Sequence, residues 1–247
     1  MTKGIVLSLY DFTGEALKPW AEAGYTCYAF DIQHKPLVER YEKHGTGSIS
    51  YLHADLHQQK SLDLIQAVFS DKSVVFGMAF PVCTDMAVSG AAWFKKKAEV
   101  NPCFQEEAVR HAVACADFFE ELGDIPYFVE NPVSVLATKW RKPDYRFHPF
   151  QYGGYIPYDQ AEHPRWPEYI AAKDAYKKNT CLWTGGGFVM PYKISVDPEA
   201  YHGNGYSTSM MKLGGKSQRT KDIRSATPRG FAIAVYEANK TMEKTNA

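Results

Sequence analysis

The chain has 247 residues, 45% of them hydrophobic, and its 28 basic and 28 acidic side chains give a formal net charge of zero. That size and composition predict one sizeable core with at most a small appendage, and the balanced charge gives no whole-molecule attraction to a polyanion. No stretch approaches the roughly 18 apolar residues of a membrane span, and the first residues lack a signal-peptide layout, so we expect a cytoplasmic protein without a membrane partner.

Segments typical of strands and of helices alternate through the first half of the chain. In chain order they are strand 4–10, helix 15–23, strand 26–30, helix 36–44, strand 49–52, helix 61–70, strand 74–78, helix 104–122 and strand 125–129. This alternation predicts an α/β fold with a mostly parallel, doubly wound, Rossmann-like sheet and helices on both faces.

The pattern changes after residue 132. Residues 141–179 are rich in Pro, Tyr, His, Trp and charge, which predicts a loop-dominated insert. A strand over 180–184 and a final helix from Thr227 to about Asn239 return to the core, and Pro228 suits the first helical turn because no amide donor is needed there.

Acidic residues follow three successive predicted strands. Asp11 comes after the first strand in the sequence Asp-Phe-Thr-Gly, Asp31 ends the second, and Asp55 follows the third. The open ends of parallel strands are where ligands bind, and an acid there can accept both hydroxyls of a ribose. Each residue taken singly could be a turn or cap residue, but the three together predict a cofactor that contains a nucleoside.

A thiol and a carboxylate follow the next two strands. Cys83 comes just after the apolar run that ends at Ala79, and Glu130 and Asn131 end the following strand. The five cysteines form an odd set without a C-x-x-C pair, which argues against a disulfide framework and a zinc site and leaves a thiol free to react. A buried cysteine is commonly inert, but one in a loop at the ligand-binding edge is a candidate nucleophile. The pair predicts attack on C6 of a pyrimidine whose N3 edge Glu130 holds, with Asn131 either supporting Glu130 or donating to the base.

A basic stretch lies near the end of the chain. Six basic residues occur between Lys212 and Arg229, against the single acid Asp222. Such a stretch can bind a phosphate backbone, and the alternative is a solvated basic loop.

Taken together, these residues resemble the DNA cytosine-5 methyltransferases, and most closely the short members carried by bacteriophages. In those members a Pro-x-Cys-Thr loop is followed by Ala-Val-Ser-Gly and an aromatic pair, which here are 87–90 and 93–94. The other matching segments are 11–14 (cofactor loop), 31 (ribose acid), 55–56 (adenine contact), 80–84 (nucleophile loop), 130–132 (Glu-Asn-Val motif), 177–183 (basic strand) and 224–229 (Thr-Pro-Arg helix start). The cysteine and Glu-Asn motifs are specific in combination, whereas the others are degenerate.

The resemblance implies a class I methyltransferase that moves a methyl group from S-adenosylmethionine to C5 of a cytosine flipped out of DNA. It assigns Cys83, Glu130 and Asn131 to catalysis. The cofactor-binding positions that it implies are Asp11, Phe12, Thr13, Gly14, Asp31, Ile32, Asp55, Leu56 and Pro81. The DNA-binding positions are Lys177, Lys178, Arg219, Lys221 and Arg224. No metal and no obligate protein partner are implied, and the expected location is the cytoplasm of a phage-infected or prophage-carrying bacterium.

With this resemblance, the chain divides into a cofactor-binding and catalytic core over 1–140, a loop-rich insert over 141–179, and a segment over 180–247 that completes the core and adds a short recognition loop region. Several positions depart from the family pattern. Ala16 replaces the second glycine of the cofactor loop, Val82 replaces a proline, and Thr84 replaces a glutamine. The family's Gln-Arg-x-Arg strand and its terminal Gly-Asn-x-Val motif are missing, and 203–205 comes too early to substitute for the latter.

Three alternatives stay open. The substrate could be a free pyrimidine nucleotide, the transferred group could be larger than methyl and come from a modified S-adenosylmethionine, or the chain could be an inactive relic that binds DNA.

Overall fold

The computed structural model describes residues 3–199, 207–213 and 217–240, and these residues form an α/β structure around one eight-stranded sheet. The strands are β1 (Ile5–Leu9), β2 (Thr26–Asp31), β3 (Arg40–His44), β4 (Gly47–His53), β5 (Val74–Ala79), β6 (Tyr127–Pro132), β7 (Tyr145–Phe147) and β8 (Thr180–Gly185). The helices are α1 (Lys18–Glu22), α2 (Gln59–Phe69), α3 (Phe94–Val100), α4 (Phe104–Glu121), α5 (Leu136–Lys139), α6 (Gln218–Ser225) and α7 (Arg229–Asn239). None of these described helices is long and apolar enough to cross a membrane.

The sheet is mostly parallel and changes direction of winding at β1. Its order is β3-β4-β2-β1-β5-β6-β8-β7, so the chain builds outward from β1 to β2 and β4 on one side and then to β5 and β6 on the other. Those five strands are parallel to one another, whereas β3, β7 and β8 each pair antiparallel with a neighbour. The crevice beside the carboxyl ends of β1 and β5 is therefore the switch point at which open α/β sheets bind ligands.

Apolar side chains cover both faces of the sheet. One face packs against α2 and α4, and the other packs against α1 and α7. The central strands are short runs of Val, Leu, Phe and Met because a parallel strand covered by helices on both sides must be apolar on both sides. Val6, Leu7 and Leu9 of β1 are fully buried. The predicted α/β class with helices on both faces is thus what the structure contains.

A third, smaller core lies apart from the sheet. It joins Ile170 and Tyr176 of the insert to Leu213, Ile223 and Ala226 near the end of the chain. Ile223 is the buried side chain of α6 in this core, so the insert and α6 support each other.

The structure corrects the sequence prediction over 36–44, which is not helical. Leu37 has a positive φ of 60°, and β3 follows and forms a hairpin with β4 across the two-residue turn Gly45-Thr46. Gly45 has φ +58°, the conformation that such tight hairpin turns require. The amphipathic pattern was misleading because Glu42 and its neighbours alternate along a strand, where the Tyr51 hydroxyl donates to Glu42 Oε2 at 3.0 Å.

Two further expectations change in detail. The first helix is limited to five residues at Lys18–Glu22 and does not begin at Glu15. The basic stretch, for which a solvated loop was the alternative to a phosphate-binding segment, contains α6, whose start is capped by the Ser217 hydroxyl accepting from the Thr220 amide. Lys216 and residues 203–205 lie outside the described residues.

Candidate functional site

Every strand-end residue singled out in the sequence lies at one edge of the sheet. The carboxyl ends of β1, β2, β4, β5 and β6 meet there because these strands are parallel. The first residue of β8 lies at this edge too, since β8 runs antiparallel to β6 and pairs Thr180 with Pro132. The segment that contains Lys177 and Lys178 is thereby brought beside the end of β6.

The loop after β1 is rigidly built around Asp11. The Asp11 carboxylate accepts from the Ser8 hydroxyl at 2.8 Å and from the Gly14 amide at 2.7 Å. Burial raises the pKa of Asp11, and these two hydrogen bonds oppose the shift. Gly14 has φ +69°, and a Cβ there would lie 2.4 Å from the Tyr51 hydroxyl, so only glycine fits. Asp11 therefore shapes the loop from within, while Phe12 stacks on His34 at 5.5 Å and Thr13 is buried.

The end of β2 presents an acid beside an exposed apolar side chain. Asp31 is 6% exposed and accepts from the Gln33 amide at 2.8 Å, and burial raises its pKa. Ile32, next to it, is 57% exposed although it follows a buried strand. A polar acceptor beside an open apolar surface is a suitable pair for a ribose and an adjoining purine ring.

The end of β4 completes this side of the edge. Asp55 Oδ1 accepts from the His57 amide at 3.1 Å, and the carbonyl of the buried Leu56 accepts from the Tyr10 hydroxyl at 2.9 Å. Tyr10 has φ +58°, and burial raises its pKa beyond any physiological value. The Tyr10 hydroxyl thus ties the β1 loop to the β4 loop. In the described part of the chain, no group of three or more His, Cys, Asp or Glu side chains is placed to hold a metal ion.

The loop that bears Cys83, the candidate nucleophile, is held against the end of β6 by backbone and side-chain contacts. Asn131, which is fully buried, donates from Nδ2 to the carbonyl of Pro81 at 3.0 Å. The Val88 amide donates to the Val133 carbonyl and the Val135 amide to the Met86 carbonyl, both at 3.0 Å. The two motifs that the sequence linked only by position are therefore one physical unit, and Asn131 is the side chain that joins them.

Cys83 is half-buried inside this unit. Its carbonyl accepts from the amides of Met86 at 3.0 Å and Ala87 at 2.8 Å, which closes a tight turn. Burial raises the pKa of the Cys83 thiol, the Glu130 carboxylate raises it further, and the Lys178 ammonium opposes both effects. Cys27, Cys115 and Cys181 are buried free thiols, and Cys103 is exposed. Cys83 is the partly exposed thiol whose pKa both Glu130 and Lys178 affect.

Glu130 and Lys178 line one pocket beside Cys83. The residues around it are Phe80, Glu130, Phe147, Lys178, Thr180, Ser225, Ala226, Thr227, Pro228 and Phe231, and they surround about 260 Å³ including the open mouth. Part of Glu130 is exposed, but its Oε1 is enclosed and makes no hydrogen bond within the described residues. Lys178 Nζ donates to the Arg224 carbonyl at 3.0 Å.

The electrostatics of this pocket make Glu130 easier to protonate than an exposed carboxyl. Burial raises the pKa of Glu130, and the Lys178 ammonium partly opposes this shift. A buried carboxyl without a hydrogen-bond partner is costly unless a ligand completes it. The pocket thus combines an unsatisfied carboxyl, a cation and aromatic walls, a combination that suits a flat, polar heterocycle.

The basic residues predicted to bind DNA are mostly exposed. Arg219, Lys221 and Arg224 project from α6, and the Arg219 guanidinium lies 5.7 Å from the ring centre of Tyr169. Lys177 is exposed, whereas Lys178 is half-buried in the pocket. Arg229, the last residue of the basic stretch, donates from Nη2 to the carbonyls of Gln160, Ala161 and Glu162, each at 3.0 Å, and so holds the insert onto α7.

A buried polar cluster joins the insert to α7. Asp174 Oδ2 accepts from the Gly230 amide at 2.9 Å and thus caps α7. His163 Nδ1 accepts from the amides of Arg165 at 3.2 Å and Trp166 at 3.1 Å. Burial lowers the pKa of His163 to about 4, and the charges of Arg229, Lys18 and Arg165 act in the same direction.

This cluster predicts a pH-dependent stability difference between the protein and its His163→Asn variant. The folded state resists protonation of His163, so the stability that His163 confers is full above its ordinary pKa of 6.5 and is lost as the pH falls towards about 4. The variant keeps an acceptor oxygen. We expect the difference in unfolding free energy between the unmodified protein and the variant to shrink by about 2 kcal/mol as the pH falls from 7.5 to 5. Urea unfolding of both proteins measures it. Asp174, whose pKa burial raises to about 6, titrates in both proteins, so its contribution to the pH dependence cancels in the difference between them. A constant difference would contradict the burial of a neutral imidazole.

Several residues of the site carry no signal in the sequence. Phe147 and Phe231 stack at 4.0 Å and form a wall of the pocket, although one lies in the insert and the other in the last helix. Lys97 reaches back to the nucleophile loop across 12 residues. These contacts depend on the tertiary fold, and no local motif indicates them.

Comparison with known proteins adds no relative. No protein-family model matches the chain, and no curated protein matches it. The interpretation of the site therefore depends on its residues and geometry.

Proposed function

We propose that this protein is an S-adenosylmethionine-dependent methyltransferase that modifies C5 of cytosine in DNA through a covalent bond between Cys83 and C6. The observation that carries the proposal is the convergence, at one edge of the sheet, of a half-buried thiol and a carboxyl whose enclosed Oε1 has no hydrogen-bond partner within the described residues. The Asn131 side chain fixes the loop that bears the thiol to the strand that bears the carboxyl.

The residues at the switch point fit the cofactor. Asp31 can accept from the ribose hydroxyls, and the exposed Ile32 offers an apolar surface to the adenine. The loop held by Asp11 presents backbone at Gly14, because the Tyr51 side chain occupies the space where a Cβ would lie. Ala16, which replaces a family glycine, is buried in the core on the face of the sheet covered by α1 and α7, and so does not enter the crevice. When bound, the cofactor supplies an electrophilic methyl group.

The protein's part in the reaction follows from the two motifs. The Cys83 sulfur adds to C6 of the flipped base, and Glu130 shares a proton with N3, so that the negative charge gained by the ring is neutralised. Carbon 5 then takes the methyl group. Loss of the C5 proton to a base and expulsion of the sulfur restore the aromatic ring and free Cys83. Lys178, which lines the same pocket, stabilises the negative charge that develops on the exocyclic oxygen of the base.

The charges around Cys83 further suggest that the thiol is activated only when substrate is present. Burial raises the pKa of the Cys83 thiol, and the Glu130 carboxylate raises it further whenever it is ionised, so the thiol stays protonated in the free protein. When a bound base holds a proton taken from solvent between N3 and Glu130, the carboxylate charge is neutralised, and the Lys178 ammonium then favours the thiolate. The nucleophile is thereby protected from alkylation and oxidation between turnovers.

Mass spectrometry of nucleosides is the experiment that tests this function. DNA and, separately, free dCMP are incubated with the protein and S-adenosylmethionine that carries a labelled methyl group, and the products are digested and separated. We expect labelled 5-methylcytosine from DNA. Label in dCMP alone would favour a nucleotide enzyme, a different mass would indicate a larger transferred group, and cofactor binding without product would indicate an inactive relic.

The α6 helix provides a prediction on the DNA partner. Replacing Arg219, Lys221 and Arg224 with glutamine is expected to weaken duplex binding and to lower the slope of log affinity against log salt by about 0.9 for each phosphate that is no longer neutralised, about 2.7 for three. Fluorescence anisotropy over a salt series measures this slope, and cofactor binding is expected to survive. A matched variant, Lys43, Lys60 and Lys72 to glutamine, removes three other exposed lysines and should leave the slope unchanged. Equal slopes in the α6 variant and the unmodified protein would mean that α6 is only a solvated surface.

A further inference from the structure

The loop that bears Cys83 is held both by the end of β6 with the residues after it and by a lysine of α3. Thr84 and Asp85 follow Cys83 directly, whereas the contacts with Val133 and Val135 are made by Val88 and Met86. Lys97 Nζ donates to the Thr84 carbonyl at 3.0 Å and to Asp85 Oδ1 at 2.6 Å. A single ammonium group therefore holds both residues that come after the thiol.

The support behind Lys97 extends to the main core. Phe94 of α3 packs edge-on against Phe104 at 5.7 Å, and Lys97 Nζ lies 6.0 Å from the centre of the same ring. Phe104 begins α4, whose Ala112, Cys115 and Phe119 are buried against the sheet. Thr84 is thus linked through Lys97, Phe94 and Phe104 to the buried helix α4. The two hydrogen bonds from Lys97 are charge-assisted, the stronger kind.

We propose that Lys97 is a positioning residue that fixes the Cys83 turn for attack, an inference that rests on the proposed function. The lysine contacts neither the base pocket nor the cofactor crevice, so it acts through the Thr84 carbonyl and the Asp85 carboxylate. Without Lys97 the turn keeps its contacts with the end of β6 and loses those that hold Thr84 and Asp85. The sulfur then moves relative to Glu130, and a displacement of about 1 Å can cost on the order of 100-fold in rate.

Three variants test this role. Lys97→Met removes the ammonium but keeps the length of the side chain, Lys97→Arg retains a charged donor, and Lys96→Met changes an exposed neighbour on the same helix. We expect Lys97→Met to lower kcat about 10- to 100-fold with KM for DNA little changed, because the loop is misplaced while the DNA surface is intact. Lys97→Arg is expected to restore most of kcat, and Lys96→Met to leave kcat unchanged.

A second readout does not depend on methyl transfer. The rate at which iodoacetamide alkylates Cys83, followed by peptide mass spectrometry, should increase in Lys97→Met, because burial protects the thiol and a loosened turn exposes it.

Equal kcat and equal alkylation in Lys97→Met and the unmodified protein would overturn the proposal, as would an equal loss of kcat in Lys96→Met. If Lys97→Met does not fold, Asp85→Asn decides: it breaks the ion pair alone and should shift both readouts less but in the same direction. If the unmodified protein transfers no methyl group, the proposed function fails and the alkylation rates still decide the role of Lys97.

Discussion

Replacing Cys83 with serine is expected to abolish methyl transfer, with kcat lowered by roughly 10⁴-fold or more. A hydroxyl at neutral pH is a far poorer nucleophile than a thiolate, and removal of a covalent nucleophile commonly has an effect of that order. Cofactor affinity, measured by calorimetry, should stay within a few fold, because Asp31 and Ile32 lie at the end of β2 and do not depend on the thiol.

The control for this prediction is Cys103→Ser. Cys103 is the exposed cysteine at the start of α4, and its replacement should leave kcat unchanged. Full activity of Cys83→Ser would remove the covalent mechanism altogether. Equal losses in both variants would point to general destabilisation, which thermal unfolding of the two proteins can detect.

Replacing Glu130 with glutamine is expected to lower kcat by about 10²- to 10⁴-fold, the range of general acid–base contributions, while making Cys83 more reactive towards iodoacetamide. The two effects have opposite signs for one physical reason. Glutamine keeps the shape of the side chain but cannot share a proton with N3. It also removes the negative charge that raises the pKa of Cys83, so a larger fraction of the thiol is ionised at a given pH.

Alkylation kinetics between pH 7 and pH 10, with Cys83 and Cys103 resolved by peptide mass spectrometry, give the apparent pKa of Cys83 in each protein. Glu121→Gln, a change of the same kind at an exposed position on α4, should alter neither kcat nor that pKa. A Glu130→Gln protein with a higher Cys83 pKa, or with unchanged kcat, would contradict the arrangement of the pocket.

The central strands were predictable from the sequence because burial on both faces demands continuous apolar runs. β1 and β5 lie where Val, Leu, Phe and Met cluster, and β2 covers the run Cys-Tyr-Ala-Phe. The acidic or thiol residues lie at or just beyond the ends of these strands. The β3 hairpin was not predictable as a strand, since the residues before Gly45 carry a pattern that suits a helix equally well and only pairing with β4 decides between the two. α6 is too polar for a periodicity argument and depends on Ile223 packing against the insert.

In the candidate site, too, some residues could be predicted from the sequence and others could not. Cys83, Glu130 and Asp31 could be placed from the sequence because each lies at or after the end of a strand, and parallel strands bring their ends to one edge. Lys178 could not be placed in the pocket beside Glu130, since this requires knowing that β8 runs antiparallel to β6. Sequence reasoning also left open whether Asn131 supports Glu130 or donates to the base, and in the structure its amide donates to the Pro81 carbonyl.

The departures from the family pattern acquire a physical meaning in the fold. Ala16 is buried beside Leu17 and Trp20, where a methyl group fills the core, so the missing glycine does not alter the surface of the crevice. The start of α7, which resembles the Thr-Pro-Arg helix start, packs through Arg229 on the insert and through Pro228 on the pocket. The short chain therefore closes its pocket with the last described helix.

The covalent bond between Cys83 and the base is the central claim, and DNA that contains 5-fluorocytosine at target sites tests it most directly. Fluorine cannot leave C5 as a cation, so after methyl transfer the adduct cannot collapse and the protein stays attached to the DNA. With S-adenosylmethionine present, we predict a band on a denaturing gel shifted by the mass of the DNA, and a modified peptide that contains Cys83. Methylation of ordinary DNA with no shifted band on the fluorinated DNA, or a crosslink that maps to another residue, would contradict attack through Cys83.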